Sequence, residues 1–128
     1  MIHVVVGLIF NDSGEILLAE RQQHKFQGGR WEFPGGKVEA VEKPFTALQR
    51  ELAEEIGLEI LAAEPWGQFQ HEYADRNILL DVWEIKAFNG CAQGKEGQAI
   101  KWVAIPDLIK IPIPDANHVI VEKLINAD

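Results

Sequence analysis

One cysteine, Cys91, stands in the 128 residues, so no internal disulfide can form and a thiolate zinc site lacks its ligands. Cys91 reads as a small, unreactive side chain. No apolar run approaches the ~18 residues that a membrane helix needs. The opening Met1-Ile2-His3-Val4-Val5-Val6 has no basic segment and no small-residue cleavage pattern, and reads as a strand. Repeats and low-complexity linkers are missing. Basic residues are scarce: 12 Lys and Arg stand against 20 Asp and Glu, a net charge of −8. That deficit argues against a nucleic-acid polymer as partner, which needs a basic face to displace counterions. It argues equally against a polybasic membrane anchor. A small phosphorylated ligand stays open, provided metal ions screen the carboxylates. A reducing, cytoplasmic location is expected.

What is present is the composition of a globular chain, with 47% hydrophobic and 25% charged residues, which excludes wholesale disorder. The length suits a single domain over 1–128 with one adequate core, and a monomer is the simplest expectation. Val4 to Phe10 and Glu15 to Glu20, joined by Asn11-Asp12-Ser13-Gly14, carry a hairpin signal. Arg21 to Arg30 reads as a loop. Trp31-Glu32-Phe33 is a short strand stopped by Pro34-Gly35-Gly36. Pro44 to Ile56 is the best helix, with Phe45, Leu48, Leu52 and Ile56 on one stripe, Pro44 in the first turn and Gly57 past the end. Phe69 to Tyr73 and Ile78 to Ile85 read as strands around a turn at Ala74-Asp75-Arg76-Asn77. Ala99 to Ile105 is a further strand. Asp115 is a candidate cap for a last helix carrying Val119, Ile120, Leu124 and Ile125. This order of strands and helices suggests a mixed sheet with helices packed on it.

Chemistry concentrates in the helix from Pro44. Glu51 and Glu55 are four residues apart and Glu51 and Glu54 three apart, so both pairs share a face away from the apolar stripe. Crowded carboxylates near a helix C-terminus repel one another and oppose the macrodipole. Arg50 offsets part of this through Glu54 at i,i+4. A divalent cation would offset more, and hard oxygen ligands suit Mg²⁺, with Mn²⁺ as a substitute. Taken alone, the triplet reads first as a solvated acidic face, since charge runs usually are.

The spacing around it is more specific. Gly36, five residues, Glu42, seven residues, then Arg50-Glu51-Leu52-Ala53-Glu54-Glu55-Ile56-Gly57-Leu58 resembles the Nudix box over 23 residues, with every specified position filled. Many members carry Gly where this chain has Val41. The resemblance implies a Nudix α/β/α sandwich, an α/β (α+β) fold with a mixed β-sheet between helices. It also implies metal-dependent hydrolysis of nucleoside diphosphate derivatives. Metal ions would neutralise the phosphates and position water for in-line attack. It assigns metal binding to Glu51, Glu54, Glu55 and the carbonyl of Gly35, and the role of base to Glu51. Arg50 would orient the carboxylates and Glu42 would support it.

The likeness continues beyond the box. Trp31-Glu32-Phe33-Pro34-Gly35-Gly36-Lys37, Glu72-Tyr73-Ala74-Asp75-Arg76, Lys95-Glu96-Gly97-Gln98 and Ala116-Asn117 resemble the MutT subfamily. That implies hydrolysis of 8-oxo-dGTP to 8-oxo-dGMP and pyrophosphate by attack at the β-phosphorus, which would sanitise the nucleotide pool and prevent mutation. It adds Glu96 as a further metal ligand or an alternative base. It nominates Arg21 for the phosphates, Phe33 for the base pocket and Asn117 for the purine edge, with Glu32 and Arg76 as further substrate contacts. An Asn amide both donates and accepts, so it can face the O6 acceptor and N7–H donor of 8-oxoguanine together. Without the resemblance, Glu96 is a loop carboxylate, Asn117 a helix cap and Arg76 a turn residue. Another nucleotide substrate, or a non-catalytic nucleotide-binding module, is the alternative. His3, His24, His71 and His118 share no metal spacing, and Trp31, Trp66, Trp83 and Trp102 read as core or rim. Lys37 reads as a solvated loop residue.

Overall fold

The β-branched run at the start of the chain becomes the central strand of a sheet. The structure, a computed structural model, describes residues 1–127. Along the chain these form β1 (Ile2–Leu8), β2 (Ile16–Glu20), β3 (Trp31–Glu32), β4 (Gly35–Lys37), α1 (Pro44–Ile56), β5 (Glu59–Tyr73), β6 (Arg76–Asn89), β7 (Ile100–Val103) and α2 (His118–Asn126), with short 3₁₀ turns at Ile105–Lys110 and Asp115–Asn117. One sheet has the order β4-β1-β6-β5 and is mixed: β1 runs parallel to β6 and antiparallel to β4. A second, antiparallel sheet has the order β3-β2-β7.

Side-chain alternation divides the interior into two cores. Val5, Ile9 and Leu17 meet Ala47, Leu48, Leu52 and Ile56 of α1. Val6, Leu8, Ile16 and Leu18 meet Ile120 and Val121 of α2. The helices therefore cover opposite sides of the strand layer, which is the expected α/β/α sandwich. Leu48, Leu52 and Ile56 are fully buried, each contributing about 1.5–3 kcal/mol by leaving water. Gly7 lets α1 approach β1, since a Cβ there would press on the Leu52 side chain.

The first hairpin departs from expectation. Its turn forms as read: the Asn11 side chain accepts from the N–H groups of Ser13 and Glu15. The strands, however, meet only around Phe10 and Ile16 and then enter different sheets. β1 pairs along both edges, with β4 and β6, and β2 does the same with β3 and β7.

Three other boundaries move. Gly35–Lys37 is not a stop but β4, paired with Val4–Val6, where a Cβ on Gly35 would strike the Val5 carbonyl. β5 and β6 are 15 and 14 residues long, and pairing reaches Tyr73 opposite Arg76. The turn is therefore Ala74-Asp75, and Arg76 belongs to the ladder. The first half of β5 alternates poorly because register shifts interrupt it near Ala62 and between Pro65 and Gly67. Finally, α2 starts at His118, and Asp115 does not cap it: its carboxylate accepts from Gln27 and Arg30 instead.

Candidate active site

The carboxylates of α1 reach a cleft of about 470 Å³ past the edge strand β4. Helix α1 ends where the sequence says. Gly57 adopts a left-handed conformation (φ 72°), and its N–H bonds back to Ala53. Glu51 and Glu55, one turn apart, line the cleft with Gly35, Gly36 and Glu96. Gly36 lies directly against the Glu51 carboxylate, which a Cβ there would displace.

Arg50 organises this end. It donates to both oxygens of Glu42 (2.8 and 2.9 Å), to Glu51 (2.9 Å) and to the carbonyl of Lys37 (3.0 Å). The Arg50 guanidinium, helped by the Glu39 backbone N–H, holds the Glu42 carboxyl down at about 2. In return, Glu42 pushes the Arg50 value up. Glu51 behaves oppositely: burial raises it, Arg50 opposes, and the charges of Glu54 and Glu96 add to the rise. Burial pushes Glu55 furthest, up to about 8, against the pull of the Gly35 N–H (3.1 Å) and reinforced by Glu32, Glu96 and Glu51. The last turn of α1 also holds the loop that carries Glu96. Lys95 N–H and the Gln98 amide both donate to the Glu55 carbonyl, and Gln93 N–H donates to that of Ile56. The other end of the Gln98 amide accepts from Glu96 N–H (2.9 Å).

Of the five expected metal ligands, Gly35, Glu51, Glu55 and Glu96 share the cleft. Glu54 stands at the rim with its side chain 58% exposed, 3.6 Å from Arg50. Among the described residues no three acidic, His or Cys side chains stand together in a way that could hold a metal ion. Glu51 and Glu54 turn to Arg50, and Glu55 to the Gly35 N–H. The donor set nonetheless suits a hard divalent cation. It consists of carboxylates and a backbone carbonyl, crowded enough that neighbouring charges oppose the ionisation of Glu55.

The other end of the cleft is mostly apolar. Val4 and Val6 of β1, Ile78 and Leu80 of β6, and Phe33, Tyr73, Phe26 and Asn117 line it. Phe33 is buried and also belongs to the α2-side core. Asn117 is only 8% exposed, and its side chain makes no hydrogen bond among the described residues, so it does not cap α2. Arg76 lies over the rings of Phe26 (5.4 Å) and Tyr73 (5.5 Å), with its buried Nε unpartnered. Arg21 sits between the two ends, bonded to Glu32 (3.1 Å) and to the carbonyl of Phe26 (2.6 Å). Burial raises the Glu32 carboxyl while Arg21 lowers it.

All the nominated residues except Glu54 and the supporting pair Arg50 and Glu42 line the cleft. Sequence reasoning missed Gln98, Tyr73 and Phe26 as participants. Gln98 and Tyr73 lie in segments already noted, and Phe26 is the one aromatic in a polar loop. The bland assignments fit elsewhere: His3 pairs with Asp81 (2.8 Å), His118 with the Ile113 carbonyl, and Cys91 is exposed. No described helix is long and apolar enough to cross a membrane.

Comparison with known proteins places this geometry. The model of the NUDIX domain matches residues 5–123. The chain is 40% identical over 122 residues to a CTP pyrophosphohydrolase of Escherichia coli, covering 95% of this chain and 90% of that one. It is 39% identical over 126 residues to an 8-oxo-dGTP diphosphatase of Haemophilus influenzae, covering 98% and 93%. A solved structure from work on MutT of Aliivibrio salmonicida and Vibrio cholerae superposes with a TM-score of 0.85 at 42% identity, covering 97% of this chain and 96% of that one.

Proposed function

The chain belongs to the Nudix family and is a Nudix nucleotide pyrophosphohydrolase, and we propose that its substrate is 8-oxo-dGTP, cleaved to 8-oxo-dGMP and pyrophosphate. The observation that carries this choice is Asn117, a residue only 8% exposed that lines the cleft and whose side-chain amide makes no hydrogen bond among the described residues. The donor and acceptor of that amide complement the O6 and N7–H of 8-oxoguanine. Ordinary guanine presents an acceptor at N7, so one of the two hydrogen bonds turns repulsive, a mismatch worth about 10⁴-fold when buried. Removing such a nucleotide before a polymerase uses it would sanitise the pool, a cytoplasmic task.

Glu51 takes the proton of the attacking water, its basicity raised by burial and tempered by Arg50. Arg50 fixes the Glu51 carboxylate, and Glu42 fixes Arg50. Glu51, Glu55, Glu96 and the Gly35 carbonyl, with Glu54 from the rim, would hold Mg²⁺. When bound, that ion supplies neutralising charge to the phosphates and acidity to the attacking water. Arg21 moves from Glu32 to the phosphates. Phe33, Tyr73 and Phe26 enclose the base, and Arg76 stiffens that wall.

A second reading has specific support. The E. coli relative is named for CTP, and the N4 donor and N3 acceptor of cytosine also match an amide. The reaction itself is tested by hydrolysing 8-oxo-dGTP in H₂¹⁸O. Label in pyrophosphate is the expected result, and label in the monophosphate would contradict attack at the β-phosphorus.

A further inference from the structure

Residues 115, 116 and 117 are consecutive, yet Asp115 and Ala116 are tied to different segments that line the cleft and Asn117 lines it directly. The Asp115 carboxylate accepts from the Gln27 side-chain amide (2.7 Å) and from Arg30 (3.2 Å), and its N–H donates back to the Gln27 amide oxygen (3.0 Å). The Ala116 N–H donates to the Tyr73 hydroxyl (3.3 Å). Asn117 turns its amide into the cleft, while its own N–H closes the turn on the Pro114 carbonyl (2.9 Å). This single turn of 3₁₀ helix is too short to hold its shape alone. Its geometry is set by what it is tied to.

The tie to the 21–30 loop is the strongest of these. It is reciprocal and charge-assisted, and it joins residues 88 apart in sequence. The loop end is itself constrained. Gln27 has a positive φ of 56°, and Gly29 a φ of 81°. A Cβ at Gly28 would strike the Gln23 carbonyl. A non-glycine residue held in the left-handed region persists only when its surroundings over-determine it. Here the Asp115 pair supplies part of that constraint. The backbone next to Gln27 carries Phe26, whose ring packs edge-on against Tyr73 (5.1 Å). One carboxylate thus ties together the base-reading turn and the aromatic wall opposite it.

We propose that Asp115 is a positioning residue for nucleobase selectivity, acting through Gln27 to lock the Asn117 turn against the loop wall. It touches no substrate. It sets where the Asn117 amide stands, and selectivity between bases depends on that position to a fraction of an ångström. The proposal rests on Asn117 being the base reader.

The test compares the wild type with Asp115→Ala, Gln27→Ala, the double variant and Asp115→Asn, on 8-oxo-dGTP, dGTP and CTP with Mg²⁺. Asp115→Ala should raise KM for the preferred base and lower its preference over the others by about tenfold, the scale of a charge-assisted hydrogen bond, with kcat changed less. The double variant should lose no more preference than the larger single loss, because both residues act through one contact. Asp115→Asn keeps an acceptor for Gln27 and should recover most of the preference. A fall in kcat for all substrates in proportion to lost thermal stability, with unchanged preference, would overturn the proposal. Additive losses from Asp115 and Gln27 would overturn it too. A wild type with no preference among the three nucleotides would instead overturn the assignment of Asn117 as reader, before any variant is compared.

Discussion

The two ends of the cleft solve different problems with different materials. The carboxylate end is built from one stretch of chain, 35–55, with the Lys95–Gln98 loop hydrogen-bonded onto the end of α1. Its side chains stand on a helix whose Ala47, Leu48, Leu52 and Ile56 are fully buried, and Arg50 ties several of them together. The end proposed to hold the base draws on β1, Phe33 just after β3, the 21–30 loop, β6 with the β5–β6 tip, and the turn before α2. Those pieces are held by a few side-chain ties between distant segments: Gln27 and Arg30 to Asp115, Ala116 to Tyr73, and Phe26 against Tyr73. Substitution at the first end should therefore damage the chemical step, and substitution at the second should change which base is accepted.

The largest effect is expected from Glu51→Gln. It keeps the size of the side chain and removes the proposed base, so kcat should fall by roughly 10²–10⁴-fold with an unchanged melting profile. Pre-steady-state and steady-state hydrolysis would measure it. A rate near that of the wild type would transfer the role to Glu96, another carboxylate lining the cleft. At the opposite end, Asn117→Ala should leave kcat within a few-fold and lower the preference for 8-oxo-dGTP over dGTP by about 10² or more. An unchanged preference would break the distinction between the ends.

Why one end was legible in the sequence and the other only partly follows from the same contrast. Glu42, Arg50, Glu51, Glu54 and Glu55 lie at fixed offsets on or beside one helix, and helical geometry converts spacing into shared faces. The boundaries of α1 were readable because Pro44 and Gly57 mark both ends. The base end depends on long-range pairings that no local pattern encodes. Asp115 looked like a helix cap, since an Asp just ahead of a helical stripe usually is one, yet its partner is Gln27, 88 residues away. The split of the first hairpin into two sheets was hidden for the same reason: its turn is local and its pairings are not. Arg76 looked like a turn residue because Ala74-Asp75-Arg76-Asn77 has turn composition, whereas the ladder runs regularly to Tyr73 opposite Arg76 and leaves only Ala74-Asp75 in the turn.

Two smaller effects sharpen the comparison. In the metal-free protein the Glu55 carboxyl sits up at about 8, against about 4.3 in an unfolded chain. The unfolded state therefore releases its proton first. The stability contributed by this group is full below about pH 4 and is lost as pH rises through about 8. Tm should fall by about 5 °C or more between pH 5 and pH 9, and Glu55→Gln should flatten that slope. Mg²⁺ should raise Tm more at pH 9 than at pH 6, because it binds the ionised carboxylate. Equal slopes in wild type and variant, read by scanning calorimetry, would contradict the cause assigned to Glu55.

The smallest effect concerns Val41, which is fully exposed with a φ of 60°, a left-handed conformation unfavourable to a β-branched side chain. Relieving this strain by Val41→Gly should stabilise the protein by about 0.5–1 kcal/mol, after the greater freedom of glycine in the unfolded chain is subtracted. Urea unfolding would measure it, and kcat and base preference should both stay put. A loss of stability would show that the turn before Glu42 is not strained.

The most direct test of the division between a chemical end and a reading end is a side-by-side measurement of kcat/KM for 8-oxo-dGTP, dGTP and CTP, with and without Mg²⁺, identifying both products. The expected result is Mg²⁺-dependent release of pyrophosphate, with 8-oxo-dGTP favoured over each of the others by about 10³-fold or more. Comparable values for 8-oxo-dGTP and dGTP, or a preference for CTP, would contradict the role given to Asn117.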